Sequence, residues 1–185
     1  MDFNWYDEIS FSDELTQGDI IFDCNIPILN SDVYETIINE QGEVQEPIDV
    51  KSVNAVVLSQ ACDISNNKID SIVLCPVFPL EKLMTSSDWF KSKDGRESLR
   101  QGKEPAFHLL NEYSSQTIKL PYSVVEFHRI YSLPKTYLKR MLIDIDYRLR
   151  ILPPYREHLA QAYARYFMRV GLPIDIDRNK IKSLS

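Results

Sequence analysis

The chain has 185 residues, of which 44% are hydrophobic and 26% charged, a balance typical of one folded domain rather than of a disordered chain. Its formal net charge of −6 argues against broad affinity for nucleic acids or membranes, because such affinity depends mainly on Lys and Arg. The sequence shows no apolar run of membrane-spanning length and no basic and apolar leader, which predicts a cytoplasmic protein without membrane contact.

The cysteines predict neither a disulfide framework nor a zinc site. Cys24, Cys62 and Cys75 are an odd number, and no two of them are spaced as a metal-binding pair. The three histidines are scattered along the chain in the same way. We therefore expect no metal and no cofactor.

The first third of the chain predicts an appendage, a strand and a long connection. Residues 1–16 mix aromatic and acidic side chains and are interpreted as a short helix or arm against the body. Gly18-Asp19 opens a strand that is expected to end at Pro27. Residues 29–52 carry a local acidic excess and are predicted to form a hairpin or an extended loop.

Two uninterrupted β-branched runs predict the centre of the fold. Residues 53–59 (VNAVVLS) and 71–77 (SIVLCPV) are expected to be strands buried on both faces. Residues 80–102 begin with apolar residues at helical spacing and continue as a polar stretch. Three further strands and a helix follow, over residues 106–110, 116–120, 123–131 and 134–142.

The final helix is predicted over residues 153–171, beginning at a Pro pair and ending at a Gly. At about 100° per residue, two stripes run along it. The apolar stripe should pack on the body and comprises Leu159, Tyr163, Tyr166, Phe167 and Val170. The neighbouring basic stripe comprises His158, Gln161, Arg165 and Arg169.

Strands without strand-helix-strand alternation indicate a single α+β, mainly β domain: a small antiparallel barrel with attached helices. Three segments carry a resemblance to a known family: Gly18-Asp19 opening a strand, AVVLS at 55–59, and VLCPV at 73–77. Together with residues 123–138, they resemble the PemK/MazF-like family over about residues 17–140, with an insertion after the first strand. The resemblance implies an SH3-like barrel, and many members of that family are toxins that cut single-stranded RNA.

The family's catalytic positions differ in this chain. Cleavage of RNA needs a basic group that stabilises charge on the phosphoryl oxygens and a hydroxyl that assists proton transfer. The resemblance places Val53 where the family has Arg, and Phe78 where it commonly has Thr. Both positions have lost their chemistry.

Residues 59–63 (SQACD) are the first candidate site, and three interpretations stay open. We favour a strand end where polar side chains bond backbone, Cys62 packs as a small hydrophobe, and the cluster helps to shape a surface pocket. Alternatively, Ser59, Gln60, Cys62 and Asp63 form a ligand or partner site. The third interpretation is a hydrolase with Cys62 or Ser59 as nucleophile, but no base lies nearby in the sequence.

Two more candidates contain histidine. Glu126 and His128 should share one face of a strand, with Arg129 on the other, and could form an acid-base pair or a surface ion pair. We favour the surface pair. The basic stripe of the last helix could hold phosphates or an acidic partner, or be a solvated face. His108 is interpreted as a packing residue.

These patterns support three functional hypotheses. The leading one is a non-catalytic binding or regulatory module in a prokaryotic toxin-antitoxin or phage-defence system, by family analogy alone. It would bind a protein partner, either one with an acidic surface or a subunit of the system, with RNA binding and a homodimer also open. The alternatives are a metal-independent endoribonuclease with catalytic groups relocated to His128, Arg129, Arg165 or His158, and a Cys-dependent hydrolase.

Overall fold

The computed structural model describes residues 3–10, 12–29, 31–39 and 48–168. The strands in these ranges are β1 (Tyr6–Ser10), β2 (Asp19–Ile28), β3 (Asp49–Val57), β4 (Ser71–Pro79), β5 (Phe107–Leu110), β6 (Tyr113–Ser114), β7 (Lys119–Leu120), β8 (Ser123–Glu126), β9 (Tyr131–Pro134) and β10 (Tyr147–Ile151). The helices are α1 (Ser31–Asn39), α2 (Ala61–Ser65), α3 (Leu80–Ser86), α4 (Asp88–Lys91), α5 (Lys93–Arg100), α6 (Lys135–Leu142) and α7 (Tyr155–Phe167).

One antiparallel sheet dominates the structure. Its strands follow the order β1-β10-β2-β3-β4-β8-β5, with β9 also paired to β4, while β6 and β7 form a separate hairpin. Across the described residues this sheet is open, with β1 and β5 at its edges. An α+β fold built on an antiparallel sheet is therefore confirmed, whereas closure into an SH3-like barrel stays a prediction.

Strand β4 changes partners along its length. On one side it pairs with β3 only from Leu74 to Pro76. On its other side it pairs first with β9 and then with β8. Because β3 continues beside β2 while β4 continues beside β8, the two strands separate beyond Pro76.

The predicted central strands, β3 and β4, are confirmed, and apolar residues pack on both of their faces. Alternation along a strand sends neighbouring side chains to opposite faces. One face joins α7 in a cluster that includes Val56, Cys75, Val77, Phe127 and Leu159. The other face joins α6 and α2 in a cluster that includes Ala55, Val57, Leu74, Leu138 and Ile64.

A buried charge network fixes the chain before β2. Asp19 is fully buried, and its carboxylate accepts from Arg148 Nε at 2.8 Å and from Arg150 Nε at 2.5 Å. Arg148 is also buried and donates to the backbone carbonyls of Ser10, Asp13 and Glu14. One carboxylate thus orders two arginines of β10 and the loop that leads into β2.

The backbone conformation at residue 18 explains why a glycine precedes Asp19. The φ of Gly18 is +85°, which lies in the left-handed region that favours glycine. A Cβ there would also approach the Ile151 carbonyl oxygen at 3.1 Å, so a side chain would be both strained and crowded.

Three predictions for the first third of the chain are wrong. Residues 1–16 contain strand β1, because β10 (YRLRI), a strand the sequence patterns did not predict, pairs with it over five residues. Residues 29–52 contain helix α1 and the first part of β3, not a hairpin or extended loop, while 40–47 lie outside the described residues. Strand β2 also runs through Pro27, although it was predicted to end there.

Of two later segments, the first carried no structural prediction and the second differs from its prediction. The polar stretch after α3 forms α4 and α5, and the Ser92 hydroxyl caps α5 by accepting from the Gly95 amide. The strand predicted over 123–131 is interrupted between Glu126 and Tyr131. Between the pairs Leu74–Tyr131 and Val77–Val125, two residues of β4 correspond to five of the opposite strand, so the extra residues bulge out of the ladder.

The last helix begins after the Pro pair as predicted, but its apolar stripe is narrower. Leu159 is buried, and Tyr163 packs against the core. Phe167 is 57% exposed, so its predicted burial is wrong; its ring contacts those of Tyr163 and Tyr166 at the end of the helix. Val170 and the predicted helix end lie outside the described residues.

Candidate functional site

A cleft of about 280 Å³ opens where β3 and β4 separate. It is called the β3–β4 cleft, and its lining includes Asp23, Ser52, Val53, Asn54, Phe78 and Lys82. Val53 and Phe78 each lie two residues beyond the pair that joins Ala55 to Pro76. The two positions that the resemblance assigned to catalysis therefore share one cleft.

A bulge in β2 brings polar groups to this cleft. The register of β2 against β3 shifts between Ile21 and Cys24, and Asp23 within the bulge has a φ of +50°. The Asp23 amide donates to Asn54 Oδ1 at 3.1 Å, and the Ser52 hydroxyl donates to Asp23 Oδ1 at 3.4 Å. The cleft thus combines an apolar wall with a carboxylate, a hydroxyl and an amide.

One cation lines the cleft, and a second lies against the Phe78 ring. Lys82 lines it from the first turns of α3. The Arg129 guanidinium lies 5.9 Å from the centre of the Phe78 ring, a distance suited to a cation–π contact.

The sequence patterns pointed to Arg129 but not to the other polar residues at the cleft, which are Lys82, Asp23, Ser52 and Asn54. The only signal for them was that Ser52 and Asn54 flank Val53.

The Glu126, His128 and Arg129 candidates come together, although not as strand alternation predicts. Because the chain leaves the ladder after Glu126, both neighbours turn toward its carboxylate, with His128 Nδ1 at 4.0 Å and Arg129 Nε at 3.4 Å. Phe127 points the other way and is fully buried. His128 and Arg129 are more than half exposed. The arrangement is a surface ion pair between Glu126 and Arg129, with the His128 ring beside the same carboxylate, and it agrees with the surface pair that we favoured.

None of the contacts described for the SQACD segment (residues 59–63) involves a histidine. The Ser59 hydroxyl accepts from the Val73 amide at 2.9 Å, which confirms its role at the strand end. Cys62 is exposed, so its predicted packing as a small hydrophobe is wrong. Its sulfur lies 3.7 Å from both Gln60 Oε1 and Asp63 Oδ1. Two oxygen acceptors do not activate a thiolate, so these contacts give no support to the hydrolase.

The remaining cysteines are structural. Cys24 and Cys75 are buried, and burial raises the pKa of their thiols to about 11 and about 12. Such thiols stay protonated at neutral pH and are poor nucleophiles. Among the described residues, no group of three His, Cys, Asp or Glu side chains is arranged to hold a metal ion.

A second cavity, of about 190 Å³, lies between β5 and α7 and is called the β5–α7 cavity. Its lining includes Gly102, Glu104, Phe107, His108, Ala162 and Arg165. Three members of the predicted basic stripe, His158, Gln161 and Arg165, are exposed on α7, and Arg169 lies outside the described residues. Arg165 thus joins the predicted stripe to a cavity that the sequence did not predict.

His108 is half-buried in this cavity. Its pKa is lowered from the ordinary value of 6.5 to about 4, mainly by desolvation of the ring and in addition by the positive charges of His158 and Arg165. The imidazole is therefore neutral at neutral pH. The interpretation of His108 as a packing residue did not foresee that the residue also lines a cavity together with Arg165.

Acidification is expected to destabilise the fold through His108. The unfolded chain takes up a proton at this residue near pH 6.5, whereas the folded chain does so near pH 4, so the free energy of unfolding falls as the pH drops through that window. Each unit of pKa difference corresponds to about 1.4 kcal/mol, so the loss is on the order of 1 to 3 kcal/mol. Urea unfolding of His108→Gln should show a flatter pH dependence; equal slopes in both proteins would contradict the assignment.

Comparison with known proteins adds no relative. No model of a known protein family matches the chain, and no curated protein matches it either. Among the described residues, none of the helices has the length and apolar character needed to cross a membrane.

Proposed function

We propose that this protein is a non-catalytic binding or regulatory module on an SH3-like barrel of the PemK/MazF-like kind. The system it serves would be a prokaryotic toxin-antitoxin or phage-defence system, and its location cytoplasmic. One observation carries the proposal: Val53 and Phe78, the two positions assigned to the family chemistry, face the same cleft. An aliphatic and an aromatic side chain can neither stabilise a phosphoryl oxygen nor move a proton.

The same cleft is suited to holding a ligand. Apolar walls with a few convergent polar groups are typical of binding sites, and the β3–β4 cleft has both. Phe78 offers an aromatic face, while Asn54 and Ser52 offer hydrogen bonds beside it. The chain would thus use a toxin-type fold to bind a ligand rather than to cut RNA.

The proposed partner is a protein with an acidic surface, and the basic stripe of α7 is its proposed docking site. His158, Gln161 and Arg165 are exposed there, and Arg169 follows in sequence. Since the whole chain carries a net charge of −6, a local basic stripe would orient an acidic partner. A second copy of the chain and RNA are the other partners that fit this proposal.

Overexpression and affinity capture in the native host test this function. We expect overexpression to leave growth unchanged, because the module does not cut RNA, and we expect capture of an acidic partner that added salt releases. Arg165→Glu should abolish the capture without changing the melting temperature, whereas Arg140→Glu, an exposed control on α6, should change neither. Growth arrest, or capture that survives Arg165→Glu, would contradict the proposal.

A ribonuclease with relocated groups is the second candidate. Lys82 and the Ser52 hydroxyl line the same cleft, and Arg129 lies against Phe78. A cation and a hydroxyl are the two kinds of group that the chemistry needs. If RNA is cut in this cleft, Lys82→Ala should abolish cleavage.

A further inference from the structure

We propose that the β5–α7 cavity binds a phosphate group, either inorganic phosphate or the terminal phosphate of a nucleotide, between Arg165 and His108. The proposal goes beyond the binding module above, because it assigns a small ligand to a cavity that is separate from the β3–β4 cleft. A small-molecule probe tests it, so its result does not depend on the acidic partner.

The cavity brings basic groups together without giving them partners. His108 comes from β5, and Arg165 from α7, which lies across the cavity. Among the described residues, the His108 ring has no hydrogen-bond partner and the Arg165 side chain has no ion pair. His108 is half-buried and Arg165 is exposed, so both can bond to a ligand in the cavity without giving up a contact within the protein.

The size and lining of the cavity select a compact anion. A volume of about 190 Å³ is below the range of about 300 to 1,000 Å³ that is usual for drug-sized ligands. A guanidinium can bind phosphate through two parallel hydrogen bonds, and an imidazole can donate a third. Gly102, which has no atoms within 4 Å of the position of a Cβ, leaves space at the cavity mouth for the group that carries the phosphate.

Charges from each neighbouring element set how binding responds to pH. Helix α7 contributes His158 and Arg165, and the loop before β5 contributes Glu104. On β8, Glu126 is already paired with His128 and Arg129. Desolvation and the neighbouring cations keep His108 neutral, and a dianion in the cavity would favour its protonated form, so binding should be coupled to proton uptake by His108.

The experiment titrates the full chain with sulfate and inorganic phosphate, and follows the His108 imidazole by NMR. Sulfate keeps two charges throughout the range from about pH 8 to about pH 5, so its pH dependence reports the histidines of the protein. We expect affinity for sulfate to rise several-fold as the pH falls through this range. His108→Gln should remove most of that rise, whereas His158→Gln should leave most of it.

Matched variants separate a built site from general charge. Arg165→Gln should weaken phosphate binding about tenfold or more, because it removes a charge-assisted contact. Arg140→Gln removes the same charge from α6 and should have no effect, and Glu104→Gln should strengthen binding. Adenosine 5′-monophosphate binding more tightly than both phosphate and adenosine would assign a nucleotide; equal affinity for phosphate would assign the free ion.

Three outcomes would overturn the proposal. One is the absence of any shift of the His108 resonances with phosphate, sulfate or the nucleotide at millimolar concentration. Another is binding that Arg165→Gln and Arg140→Gln weaken equally. The third is binding with the same affinity in His108→Gln and in the original chain at every pH.

Discussion

Asp19→Ala is expected to remove about 3 to 5 kcal/mol from the free energy of unfolding. The carboxylate is fully buried and pairs with two arginines, so its loss leaves the buried Arg148 guanidinium without a counter-charge. The loop whose carbonyls accept from Arg148 should loosen at the same time. Urea unfolding followed by fluorescence measures the change, and hydrogen exchange locates the loosened segment.

An exposed pair provides the control. Asp63 lies 3.7 Å from Lys68 at the surface, and Asp63→Ala should cost no more than about 0.5 kcal/mol. If Asp19→Ala costs as little as Asp63→Ala, the buried network does not stabilise the fold.

Phe127→Ala is expected to cost about 3 to 5 kcal/mol, because it empties a fully buried site in the core between the sheet and α7. The Phe127 ring contacts those of Tyr163 and Tyr166, so α7 should lose its anchoring along with the core. Tyr163→Asp should also destabilise the protein, because it places a charge against the core. Thermal and urea unfolding measure both variants.

Phe167→Asp tests the C-terminal end of the same helix. Since Phe167 is mostly exposed, this change should alter the free energy of unfolding by about 1 kcal/mol or less. A loss as large as that of Phe127→Ala would show that the end of α7 is packed more tightly than the structure indicates.

The strands with strong local signals could be predicted from the sequence. Residues 53–59 and 71–77 are β-branched and uninterrupted, and they form the centre of the sheet. Strands β1 and β10 could not be predicted in this way, because each depends on a partner more than 130 residues away. The arginines of β10 pair with the buried Asp19, so a segment with a polar sequence forms a buried strand.

The candidate site was predictable only in part. The resemblance selected Val53 and Phe78, and the structure places both in one cleft. Asp23 reaches that cleft through a bulge in β2, which has no local sequence signal. Lys82 reaches it from α3, whose helical spacing is visible in the sequence although its position beside the cleft is not. His108 and Arg165 likewise meet only because α7 packs against the edge strand β5.

Cleavage of a mixed-sequence single-stranded RNA by the purified protein tests the proposed function most directly. Because the proposed resemblance places Val53 and Phe78 at the positions of the family chemistry, we predict no product above that formed in buffer alone, in the presence or absence of divalent metal ions. Lys82→Ala and His128→Ala, prepared in parallel, should give the same background. Robust cleavage that either variant abolishes would contradict the account and identify the protein as a ribonuclease with relocated catalytic groups.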